Sequence, residues 1–178
     1  MTLTEINTQH LLNAAAQGNT AEVQRLISIS DLAFNNEALR RAAAHGHVEC
    51  VKMLIPVSNP KHNDSSALQW ASANGYVACV KELIPVSEPK AQNNEALVAA
   101  AFYGHHECVD LLFDVCNPEE ALEELKMRIR VGTTGRSYHS AYLEQKIHIQ
   151  RVLEQRTVLE KEVSAQQRPT NPVKHCKI

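Results

Sequence analysis

The sequence predicts an all-α chain built as a solenoid of stacked helix pairs, and three observations carry that expectation. Glycine recurs at a near-constant step: Gly18 precedes Gly46 by 28 residues, and Gly46, Gly75 and Gly104 stand 29 apart. The stretches on either side of each glycine carry apolar residues at helical spacing. Ile55-Pro56-Val57-Ser58 returns as Ile84-Pro85-Val86-Ser87, so a helix stop falls at the same place in two copies. A fixed step of this length marks units that cannot bury an apolar face alone and must stack on one another.

Composition bounds the rest. With 178 residues the chain suits one domain and an appended segment. It is 44% apolar, without an apolar run near the roughly 18 residues of a membrane helix, so no membrane span is expected. Met1 to His10 lacks the basic start and apolar core of a secretory signal, and a cytoplasmic location is expected. The formal charge of −2 hides an asymmetry. Met1 to Cys116 carries seven Lys/Arg against twelve Asp/Glu, and Asn117 to Ile178 eleven against eight. Neither half has the strong basic excess of a dedicated nucleic-acid binder, so nucleic acid is not the expected partner.

Each repeat reads as two short helices. Thr8, Asn36, Ser65 and Asn94 occupy equivalent positions, and their side chains are of the kind that caps a helix start. The first helix, A, is rich in alanine (Ala42, Ala43, Ala71, Ala100, Ala101), which lets backbones approach closely, and the glycine ends it in a left-handed conformation. Helix B follows at once, with Val48, Val51, Leu54 and Ile55 forming one buried stripe until Pro56 stops it.

These stretches resemble the ankyrin repeat, T-P-L-H-x-A-A-x-x-G-H-x-E-V-V-x-L-L-L. The matching segments are Glu37 to Ile55, Ser66 to Ile84 and Glu95 to Phe113, with a weaker copy from Gln9 to Ile27. The resemblance implies an ankyrin-type helical solenoid over residues 1–116, working as a protein–protein interaction module. Two departures stand out. The T-P and the following His are replaced, as by Glu37-Ala38 and Arg40. The connector from Pro56 to Ser65 also lacks the residues of the family's β-hairpin fingers, so blunted loops and recognition by helix A are expected. Short repeats with Pro-Val-Ser connectors are similar to bacterial arrays, some of which act as effectors on a host partner, and that resemblance implies an alternative location inside a host cell.

After Phe113 the period breaks. Asn117 to Leu122 resembles the opening of a helix A but arrives about four residues early, with glutamates leading and Lys126, Arg128 and Arg130 trailing, as a helix dipole favours. A degenerate capping repeat is expected here. Beyond the Gly132-Thr133-Thr134-Gly135 loop, Ser137 is positioned to start a long helix to about Val163. Its interrupted apolar stripe fits packing on the array better than a dimerising coiled coil, and a monomer is expected. Residues 117–163 thus form capping helices, and residues 164–178 read as a disordered tail.

Few residues suggest chemistry. Cys50, Cys79 and Cys108 are repeat equivalents in the place of core aliphatics and are expected to be buried thiols. His47 and His105 stand beside the repeat glycine, where a structural role is expected, and no paired Cys/His spacing of a zinc site occurs. Neither metal nor cofactor is expected, and no nucleophile motif points to an enzyme. Lys126, Arg128, Arg130 and Arg136 around the glycine loop are the one candidate for anion binding, to phosphate on lipid or nucleic acid.

The family's exposed helix A positions map onto Asn13, Ala16 and Gln17, then Arg41, Ala44 and His45, then Trp70, Ala73 and Asn74, then Ala99, Phe102 and Tyr103. Trp, Tyr and Arg dominate binding energy at interfaces. Arg41, His45, Trp70, Asn74, Phe102 and Tyr103 are therefore the candidate partner-binding residues.

Overall fold

A computed structural model describes residues 3–29, 32–131 and 137–166. Ten α-helices appear among them, and no strand. In chain order they are α1 (Leu3–Gln17), α2 (Thr20–Ile27), α3 (Leu32–Ala44), α4 (Val48–Leu54), α5 (His62–Ala73), α6 (Val77–Leu83), α7 (Ala91–Tyr103), α8 (His106–Phe113), α9 (Pro118–Val131) and α10 (Ser137–Gln166). The chain divides into a unit ending at Glu144 and a second beginning at Gln145.

In the first unit the odd-numbered helices α1 to α9 pack one on the next as an A row, and α2, α4, α6 and α8 form a parallel B row. The core repeats with the sequence. Leu11, Leu39, Leu68 and Leu97 of the A row are fully buried, as are Val23, Val51, Val80, Val109 and Leu26, Leu54, Leu83, Leu112 of the B row. Burying one such side chain stabilises the fold by about 1.5–3 kcal/mol. The small residues Ala42, Ala71 and Ala100 are buried between successive A helices and allow their close packing.

The repeat glycines make two demands at once. Gly46 and Gly75 lie at φ +78° and +75°, and a Cβ on either would sit 2.5 Å from the ring of the next repeat's Tyr76 or His105. Those rings occupy the space that a side chain at the glycine would need. His105 reaches past it, its Nε2 3.0 Å from the Ala73 carbonyl, and His47 does the same to Ala16 O at 2.9 Å. Asn74 adds a bond from Nδ2 to Ala44 O at 3.1 Å. Satisfied carbonyls at the A helix ends are thus one means by which each repeat holds its predecessor.

The connectors differ from the family's fingers, as their sequence implied. Ile55–Val57 and Ile84–Val86 form single 3-10 turns with proline at the start. Asn63, Asp64 and Ser65, and likewise Gln92, Asn93 and Asn94, then take left-handed dihedrals with φ between 48° and 64° before the right-handed helix begins. Asn and Asp, which hold four of these six positions, accept this region more readily than most other residues do. Gln92 Nε2 donates to Asp64 Oδ2 at 2.7 Å, joining one left-handed turn to the next.

The capping role expected of Asn36, Ser65 and Asn94 is corrected by this geometry. Their side-chain oxygens accept from the backbone N–H of Asn59, Glu88 and Asn117, at 2.6, 2.8 and 2.8 Å. Each of the three is buried, and each bonds the following connector rather than its own helix. In the left-handed turn the side chain of Ser65 or Asn94 is carried away from the helix's first N–H groups and toward the next repeat. Three equivalent bonds at a separation of 23 residues therefore set the step of the array.

The helix α9 takes the fifth place in the A row without a left-handed turn, starting at Pro118 directly after the Asn117 bond, with Ala121 and Leu125 fully buried. The early arrival of its sequence signal reflects that omission. At the start of α10, Tyr142 stacks on His106 of α8 with ring centroids 4.0 Å apart and donates to Asp110 Oδ1 at 2.7 Å. The described residues of the second unit are helix: α10 continues past Val163 to Gln166, and Arg156, which interrupts its apolar stripe, pairs with Glu160 at 2.9 Å. Residues 167–178 and the Gly132 to Arg136 loop, with the expected tail and Arg136, lie outside the described residues.

Candidate partner-binding face

The outer side of the A row varies from repeat to repeat where the interior does not. One position reads Asn13, Arg41, Trp70 and Ala99 in succession, and another Gln17, His45, Asn74 and Tyr103. The bulky members fall in the third and fourth repeats and converge. Trp70, Phe102 and Tyr103 line a cleft of about 260 Å³ together with Gln69, Ala73, Glu95, Ala99 and Arg128. Trp70 and Tyr103 are 48% and 52% exposed, and Phe102 meets Tyr103 edge-on at 5.1 Å.

Small residues make the space. Ala99 is the repeat equivalent of Trp70, and a side chain of that size leaves open the volume that a second large ring would fill. The structure also corrects its assignment as exposed: Ala99 is buried, at 5%, as part of the cleft floor.

The polar end of the cleft is a tied cluster. Arg128 of α9 donates from Nη1 to Glu95 Oε1 at 2.9 Å and from Nη2 to Oε2, and from Nε to Glu124 Oε1 at 3.1 Å. Two carboxylates against one guanidinium leave this end formally negative. Gln69 is held by a bond from Nε2 to Asp64 O at 2.8 Å. On the other side, the Arg40 guanidinium stands 5.9 Å from the centroid of the Trp70 ring, within cation–π range, while its own carboxylate partner is Glu37.

Of the six residues proposed from the sequence, then, three share the cleft and three stand apart from it. Arg41 Nε is 2.9 Å from Glu37 Oε1, His45 Nδ1 lies 2.9 Å from Arg41 O, and Asn74 spends its amide on the carbonyls of Ala44 and Trp70. Glu37 is held below the usual carboxylate range chiefly by its bond to Arg40. Sequence reasoning missed Gln69, Glu95 and Arg40. The recurrence of glutamate at Glu37 and Glu95, repeat-equivalent positions of two A helices directly before the Ala-Leu pair, was the available signal.

Among the cations proposed for anion binding, Arg128 is taken up as described and Lys126 Nζ lies 3.2 Å from Glu123 Oε1. Arg130 is exposed, near the end of α9. The thiols Cys50, Cys79, Cys108 and Cys116 are free and buried. Burial raises Cys79 and Cys108 to about 11 and Cys116 to about 12, so these are core groups without nucleophilic character near neutral pH.

A family model described as ankyrin repeats, in three copies, matches residues 11–93 and 42–125. The chain belongs to the ankyrin-repeat family. Ankyrin repeats are in general protein–protein interaction modules, and the stacked A and B rows are that fold with its fingers reduced to turns. No curated protein matches the chain. No helix among the described residues is long and apolar enough to cross a membrane.

Proposed function

We propose that this ankyrin array binds a protein partner through the outer face of its A row, the concave face of the family, and acts as a scaffold rather than a catalyst. The observation that carries the reading is the aromatic cleft. Trp70 and Tyr103 expose half their surface on a face whose equivalent positions elsewhere hold smaller or polar groups. Large rings on a rigid helix row give contact area with little entropy lost on binding, which is why such residues anchor interfaces. Arg41, His45 and Asn74 are flanking contacts, pre-ordered by their own bonds.

The reading is tested by affinity capture with the Trp70→Ala/Tyr103→Ala chain. Partner recovery falls to background while far-ultraviolet circular dichroism and the melting temperature stay near the wild type. Undiminished recovery would remove the site assignment.

A further inference from the structure

We infer that the partner presents a basic segment, with an apolar or aromatic anchor residue in the Trp70 cleft and Lys or Arg side chains running from it along α9. The inference rests on the reading above and adds the chemistry and direction of the occupant.

The direction comes from charge on either side of the cleft. Toward the second repeat stand Arg40 and Arg41, sharing the single carboxylate of Glu37, a net positive group. Toward the fifth repeat the balance reverses. Glu95 and Glu124 share Arg128, and Glu124 also lines a second, shallow cleft of about 470 Å³ with Glu119, Glu120, Glu123, Asn93 and Met127. The Arg128–Glu124 pair thus links a residue lining the first cleft to one lining the second, and the inferred segment crosses at that pair.

The second cleft suits a long cationic side chain in both its parts. Met127 is 56% exposed, and a flexible thioether is a fitting surface for the methylene stem of Lys or Arg. The four carboxylates around it outnumber the Lys126 and Arg128 cations that pair with Glu123 and Glu124, and the surplus negative charge receives the charged head. An acidic segment in the same orientation would meet like charge along α9, which costs affinity and slows encounter. The twelve acidic against seven basic residues of Met1 to Cys116 act in the same sense at longer range.

A random twelve-residue peptide display library selected on the full chain tests this. The expected winners carry an aromatic or large aliphatic residue with two or more Lys/Arg to one side. By fluorescence anisotropy, a winning peptide binds the Trp70→Ala chain at least tenfold more weakly. It binds the Glu119→Gln/Glu123→Gln chain several-fold more weakly, with a flatter salt dependence. Circular dichroism establishes that both variants remain folded. Winners that need Trp70 but are neutral or acidic, or that are indifferent to the two Gln substitutions, overturn the basic-partner inference and leave the aromatic site standing. Winners indifferent to Trp70→Ala, or a selection without winners, overturn both.

Discussion

The interior and the outer face of the A row are built from the same helices under opposite rules. Going from repeat to repeat, the interior keeps Leu39, Leu68 and Leu97 in one place and Ala42, Ala71 and Ala100 in another, while the face changes from Arg41 to Trp70 to Ala99. Interior positions touch a neighbouring repeat of the same shape, so one solution serves every copy. Face positions are not bound to one repeated contact: Asn74 bonds the preceding repeat through Ala44 O, whereas Trp70 and Tyr103 stand half exposed. Within a repeat protein, then, constancy marks what holds the stack and variation marks where it is free to recognise something else.

Substitutions separate the two rules by size of effect. Leu68→Ala removes a fully buried side chain and is expected to cost about 2–5 kcal/mol in urea unfolding. Gly46→Ala is expected to cost about 3 kcal/mol, because it combines a left-handed φ with a clash against Tyr76. If Gly46→Ala were neutral, the ring-on-glycine contact would not be holding the repeats together.

His105→Ala removes the bond to Ala73 O and is expected to cost about 1–2 kcal/mol. The same melt on Trp70→Ala is expected to move by less than about 1 kcal/mol, since that side chain is half exposed. A large loss from Trp70→Ala would place the indole with the interior and erase the distinction.

A pH titration probes two B helices and the segment after α8. The folded state holds the thiols of Cys79, Cys108 and Cys116 protonated to about 11, 11 and 12, against an ordinary value of 9.0. The unfolded chain therefore loses those protons first as pH rises. Their contribution to stability is complete below about 9 and declines through the window up to about 12, measured as a falling urea midpoint. Alkylation of Cys79, Cys108 or Cys116 in the native protein at pH 8, located by peptide mapping, would contradict that burial.

Much of this architecture was legible in the sequence because stacking imposes a period. The glycines, the core leucines, the equivalent cysteines and the proline stops all repeat, as left-handed helix ends, buried side chains and 3-10 turns. Asn36, Ser65 and Asn94 were visible as a set, but their role was not. A cap and an inter-repeat bond call for the same residue types, and what decides between them is where the helix begins: Asn36 lies inside α3, and Ser65 and Asn94 stand in left-handed turns. The aromatic positions could be assigned to a face by register. The cleft itself could not, since it depends on Arg128, 33 residues beyond Glu95, arriving on a helix whose connector breaks the period.

Trp70 is the chain's one tryptophan, so its emission reports directly on the face. Titrating the protein with a tryptophan-free binding peptide is expected to shift that emission to shorter wavelength and to protect it from acrylamide quenching as the half-exposed indole is covered. Saturable binding that leaves both the emission and its quenching unchanged would contradict recognition at this cleft.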